Sequence, residues 1–106
     1  MAAYVIFDVT VNDLQGYEDY KKLAPLAISS FGGKYLARGG KSEILEGNWN
    51  PERVVILEFE NIENAKNWIE SPEYERARLL RHKYASSNVI VVEGLKNDSK
   101  ILKTWY

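Results

Sequence analysis

Cysteine is absent from the 106 residues. That removes disulfides, thiol nucleophiles and thiolate metal ligands together. Histidine occurs once, as His82. No pairing of it with carboxylates has metal-ligand spacing, so neither a metal nor a cofactor is expected. The serine pairs Ser29-Ser30 and Ser86-Ser87 have no histidine in any triad-like arrangement. No sign of charge dominates: Lys plus Arg is 14, Asp plus Glu is 15, and the net charge is -1. The sequence therefore lacks the basic footprint of a nucleic-acid binder or of a protein that docks on an anionic membrane. Long hydrophobic runs are missing too. Met1–Phe7 has no positive leader and is cut by Asp8, far short of the ~20 apolar residues that span a bilayer. A cytoplasmic protein is the expectation. Gly32-Gly33, Gly39-Gly40 and Gly47 form no phosphate-loop or dinucleotide fingerprint.

What is present is an ordinary globular composition, 45% hydrophobic and 27% charged, in a chain of single-domain length. Such a chain buries roughly two thirds of its unfolded surface and holds one core without staples.

Residues 4–11 are β-branched and aromatic and predict a strand. Asn12-Asp13 is a cap pair. Apolar residues at Leu14, Tyr17, Tyr20, Ala24, Ala27 and Phe31 then mark one helix face. Pro25 lies within that pattern, where it removes the bond to the Lys21 carbonyl and should kink or split the helix. Gly32-Gly33 stops it. A second strand covers 34–38, is interrupted at Gly39-Gly40 by a bulge or by the close approach of another backbone or a ligand, and resumes over 43–46. Gly47–Pro51 reads as a loop and 53–59 as the clearest strand. Asn61 caps a helix carrying Ile62, Ala65, Trp68 and Ile69. Ser71-Pro72 starts another, running to about Lys83. Residues 88–93 form the last strand, Gly94 ends the domain (1–94), and 95–106 is a charged C-terminal tail. The order βαββαβ is that of an α+β, ferredoxin-like antiparallel sheet with helices on one face.

The uncovered face of such a sheet is usually polar. Here both faces are apolar. Val5, Phe7 and Val9 oppose Tyr4, Ile6 and Asp8. Val55, Leu57 and Phe59 oppose Val54, Ile56 and Glu58. Val89, Val91 and Glu93 oppose Ile90 and Val92. The second face needs a partner, and an identical chain is the simplest one. Two sheets packed face to face make a barrel-like homodimer.

The ordered set Gly16-Tyr17 with Tyr20, Gly32-Gly33, Arg38-Gly39-Gly40, Glu46-Gly47, Pro51-Glu52-Arg53, Glu58-Phe59, Trp68, Ser71-Pro72-Glu73-Tyr74 and Glu93-Gly94 resembles the domain of unknown function 1330 family, within the dimeric α+β barrel superfamily. The resemblance covers residues 4–94. It implies a dimer of ferredoxin-like protomers and no particular activity. The wider superfamily holds cofactor-free monooxygenases, lactone isomerases, haem-degrading enzymes and regulatory ligand-binding domains, so the fold selects no chemistry.

The candidate site is the helix-free face. Asp8, Glu58 and Glu93 are read onto it beside Tyr4, Ile6, Val54 and Ile56. Arg38 reaches the same side if the bulge leaves the register unshifted. A carboxylate in an enclosed apolar space holds its proton more tightly unless an arginine compensates it, which suits it to general-base work or to binding a polar group. Glu58 and Arg38 are the candidate catalytic pair. Asp8, Tyr4, Glu93, Tyr74, Trp49 and Arg53 are the candidates for substrate contacts, with Tyr74 and Trp49 at the mouth of the pocket. The bland alternative is an ion-pair network across the dimer. Tyr17, Tyr20 and Trp68 read as core. Arg76, Arg78, Arg81 and Lys83 read as a solvated basic face, with an anion-binding lip as the sharper alternative, and His82 as a surface histidine whose protonated form the helix C-terminus favours. The function expected is binding of a small organic molecule by a homodimer, with cofactor-independent acid/base chemistry. The alternative is a non-catalytic sensing or structural dimer.

Overall fold

The computed structural model describes residues 1–95; the tail from 96 onward lies outside them. The elements are β1 (Ala3–Val11), α1 (Leu14–Ser30), β2 (Lys34–Arg38), β3 (Arg53–Phe59), α2 (Ile62–Ile69), α3 (Pro72–Tyr84) and β4 (Ala85–Glu93). The sheet order is β2-β3-β1-β4 with every neighbouring pair antiparallel. The helices cover one face of the sheet, as the βαββαβ order requires.

Each helix starts on a side-chain oxygen that satisfies an orphan backbone donor. The Gly16 N–H donates to Asp13 Oδ1 at 3.0 Å, the Asn64 N–H to Asn61 Oδ1 at 2.8 Å, and the Tyr74 N–H to Ser71 Oγ at 3.2 Å. Pro72 follows its cap at the first helical position, where a missing N–H costs nothing.

Pro25 does not split α1, which runs unbroken from Leu14 to Ser30. The carbonyl that Pro25 leaves without a donor belongs to Lys21, four residues earlier. Arg38 supplies the missing bond from outside the helix: its Nη2 donates to the Lys21 carbonyl at 2.7 Å.

The covered face carries the core. Val5, Phe7, Val9, Val55, Leu57 and Phe59 are buried against α1, α2 and α3. Trp68 is the hub, its ring centre 4.5 Å from Tyr74, 5.3 Å from Phe59 and 6.2 Å from Phe7. These separations are those of favourable tilted and edge-on aromatic pairs. Tyr17, Tyr20 and Trp68 are core residues, as their helical spacing predicts.

Two expectations fail along β2. The strand does not resume over 43–46; residues 39–52 form one long loop. The bulge is not at Gly39-Gly40 but between Tyr35 and Ala37. Gly39 instead turns the chain out of the sheet with a φ of 70°, a conformation that suits glycine. Its N–H still donates to the Val54 carbonyl at 2.9 Å. The bulge matters for the site because an inserted residue reverses the side assignment of everything after it.

Candidate functional site

The open face of the sheet is where the chain builds a cleft. Ile6 of β1 and Val54 and Ile56 of β3 form its floor, and the loop 39–52 arches over them with Ile44, Leu45 and Trp49. The half-open space beneath it is about 410 Å³, the size that holds a small organic molecule. One polar contact pins the arch: the Trp49 indole Nε1 donates to Asp8 Oδ2 at 3.0 Å. Trp49 remains 60% exposed, so its ring stands at the rim. The walls are mainly hydrocarbon, with the carboxylates of Glu43 and Glu46 on the loop side. Such a site takes an apolar body and orients it through few polar groups.

Tyr4 and Glu58 also lie on this face, directly opposite each other across β1 and β3. Glu58 is engaged, its Oε1 lying 3.1 Å from the Lys34 ammonium on β2. Both partners are partly solvated, so this ion pair is a weak stabiliser.

Four candidates fall elsewhere, Arg38, Glu93, Tyr74 and Arg53. Arg38 is on the other face. The bulge sets it opposite Val55, on the helix side, while Lys34 stays opposite Glu58. The expected Arg38–Glu58 pair within one protomer is therefore not formed. Glu93 is opposite Ala3 and shares the covered side with Val89 and Val91, so it does not join Asp8 and Glu58. Tyr74 is fully buried and belongs to the core rather than to a pocket mouth. Its hydroxyl lies 2.7 Å from that of Tyr20, and burial pushes both phenols above their usual pKa. Nearby Arg81 partly offsets the rise at Tyr74.

Arg53 also faces the helices, opposite Val9. It meets Arg38 at a corner made with Tyr17, Tyr20 and Tyr35. Burial raises the Tyr35 pKa, and the Arg38 cation partly offsets the rise.

The basic face of α3 is not wholly solvated. Arg81 is 4% exposed, lies over the Phe7 ring and donates from Nη1 to Ser87 Oγ at 2.9 Å. Arg78 donates from Nη1 to the Ile69 carbonyl at 2.8 Å, closing the end of α2. His82 is exposed, but its pKa is lowered, first by desolvation and then by the Arg81 and Arg78 cations. This direction is opposite to the one expected from the helix C-terminus.

Two contacts escaped the sequence reading. The Arg38 bond to Lys21 had a signal, since a proline inside a helix always leaves a carbonyl to be answered. The Trp49 bond to Asp8 had none, because it depends on how a 14-residue loop folds. Among the described residues, no helix is long and apolar enough to cross a membrane. Nor does any group of three or more His, Asp or Glu side chains converge as a metal site would require.

Solved structures with this fold are numerous. A protein of unknown function from Rhodopseudomonas palustris is 19% identical with a TM-score of 0.71, the match covering 90% of this chain and 83% of that one. A dimeric protein of unknown function and ferredoxin-like fold from Bacteroides fragilis is 16% identical with a TM-score of 0.60, over 88% and 96% of the two chains. SnoaB, a cofactor-independent oxygenase from Streptomyces nogalater, is 8% identical with a TM-score of 0.58, over 91% and 94%. At these identities the likeness is one of fold. No curated protein matches the chain. The family model described as domain of unknown function DUF1330 matches residues 2–95, and the chain belongs to that family.

Proposed function

We propose that the protein works as a homodimer whose open sheet faces pack together, and that the cleft under the 39–52 loop of each protomer binds a small, mainly apolar organic molecule. The observation that carries this reading is the open face itself. Ile6, Val54 and Ile56 floor the cleft, and the same face presents Ile90 at 60% exposure and Val92 at 46%. A contiguous apolar surface of that kind is the mark of an interaction site. The dimeric relative from Bacteroides fragilis supports the assembly, and the oxygenase SnoaB shows that chemistry without a cofactor is compatible with the fold.

In this reading Asp8 is the polar reference of the cleft. Its Oδ2 accepts from Trp49 and it sits opposite Val54 of the cleft floor, so in this reading its carboxylate receives a donor from a ligand lying on Val54. Glu58 and Arg38 stand on opposite faces of the sheet, so an acid/base role within one protomer's cleft passes from that pair to Asp8. Binding is the function proposed, and proton transfer at Asp8 is its catalytic extension.

Two measurements test it. Light scattering should give twice the mass of one chain; a monomer at micromolar concentration overturns the assembly. A fragment set screened by ligand-observed NMR should give mutually competitive apolar hits that Ile56→Glu abolishes. Hits that survive Ile56→Glu overturn the cleft.

A further inference from the structure

The corner between α1 and the β2–β3 hairpin is lined by two guanidinium groups and, among the described residues, by no carboxylate. Arg38 lies 4.5 Å over the Tyr35 ring and uses Nη2 on the Lys21 carbonyl. Arg53 lies 5.6 Å over the Tyr17 ring. It is wedged against Gly39, where any Cβ would collide with Nη1. Its Nε is sealed from solvent and has no acceptor among the described residues. Buried donors are nearly always answered.

The ion pairs among the described residues are Lys21–Glu18, Lys34–Glu58 and Lys66–Glu63. None involves an arginine. Glu18, the carboxylate that feels Arg53, is taken by Lys21 at 3.0 Å, which holds its pKa below the usual value. Arg38 and Arg53 are thus two like charges on one crevice with no carboxylate in ion-pair contact among the described residues. The crevice itself is small, about 10 Å³, or room for one oxygen atom. Arg38 is exposed at its rim and Arg53 is half-buried behind it.

We propose that this corner is a carboxylate-binding site: one oxygen of an organic acid enters the crevice toward Arg53 while Arg38 holds the other from the rim. Guanidinium groups suit this task because their fixed donors match the spacing of carboxylate oxygens. The rest of the ligand stays outside, on the solvent side of Tyr35. The site lies on the face of β3 opposite the cleft, so it stands or falls independently of the function proposed above.

The test is NMR observation of the arginine Nε–H signals during titration with sodium acetate, against sodium chloride and inorganic phosphate at matched ionic strength. Acetate should move the Arg53 signal saturably, chloride should not, and phosphate should bind more weakly. Arg53→Gln should weaken acetate binding by roughly tenfold or more, the scale of one charge-assisted contact. If Arg53→Gln fails to fold, Arg38→Gln serves instead and should weaken it severalfold. Glu58→Gln, on the other face, should leave it unchanged. Equal responses to acetate and chloride, tighter binding of phosphate, or acetate binding unaltered in the folded arginine variant would each overturn the proposal.

Discussion

The two faces of the sheet have almost the same composition and very different fates. On the covered side Val5, Phe7, Leu57 and Phe59 are closed under Trp68 and Tyr74. On the open side Ile6, Val54 and Ile56 are half-buried under one loop, and Ile90 and Val92 stand in solvent. Hydrophobicity therefore does not decide which side is core. The helices do, because their caps and crossover connections commit them to one side, and the other side is left to bind something else. The same contrast appears among the charges. The open face pairs one of its carboxylates with a lysine, Glu58 with Lys34. The helix side gathers Arg38, Arg53 and Arg81 with no acid within ion-pair distance among the described residues.

The largest expected break comes from Trp68→Ala. It empties the centre of the aromatic cluster and should cost about 3–5 kcal/mol in urea unfolding. Ile90→Ala removes an apolar side chain from the other face and should cost under about 1 kcal/mol at dilutions where the protomer is alone. Equal costs would erase the distinction between a filled face and a waiting one.

A smaller effect sharpens the link between the helix and β2. Arg38→Ala leaves the Lys21 carbonyl to water, and because the bond is exposed the cost should be about 0.5–1.5 kcal/mol. Pro25→Ala restores an N–H four residues on, so the two changes should be strongly non-additive in a double-mutant cycle. Additive costs would show that the guanidinium does not serve that carbonyl.

The third effect is confined to high pH. Burial raises the pKa of Tyr20 and Tyr74, so the folded state holds those protons longer than the unfolded chain does. Stability from this source is constant below the unfolded tyrosine value of about 10 and falls as pH rises above it. Tyr20→Phe with Tyr74→Phe should flatten the alkaline limb of a Tm-against-pH curve. An unchanged limb would show that the pair ionises as freely folded as unfolded.

Periodicity made the fold legible: the four strands and three helices of the described residues follow from spacing, caps and the glycine stop, although β4 starts at Ala85 rather than at 88. The doubled apolar strands also marked the open face as unusual. The site was legible only where the register was regular. Asp8 and Glu58 follow plain alternation and are where it puts them. Arg38 does not, because nothing in Tyr35-Leu36-Ala37 announces a bulge. Glu93 was misplaced although alternation already grouped it with Val91. Arg81 looked solvated because charge on a helix usually is, yet a long side chain can bury its stem and its head together when a ring and a hydroxyl receive it.

The bulge gives β2 a property of counting. Tyr35 and Arg38 both face the helices although three positions separate them, an odd step that a regular strand forbids. Leu36 is the surplus residue. Removing it would leave Ala37 and Arg38 on their present sides and bring the strand back to strict alternation. Keeping it while ironing out the bulge would turn Arg38 over, release the Lys21 carbonyl and deliver a cation to the open face. Within β2, Leu36 is thus the position where losing a residue is gentler on side-chain placement than regularising the backbone.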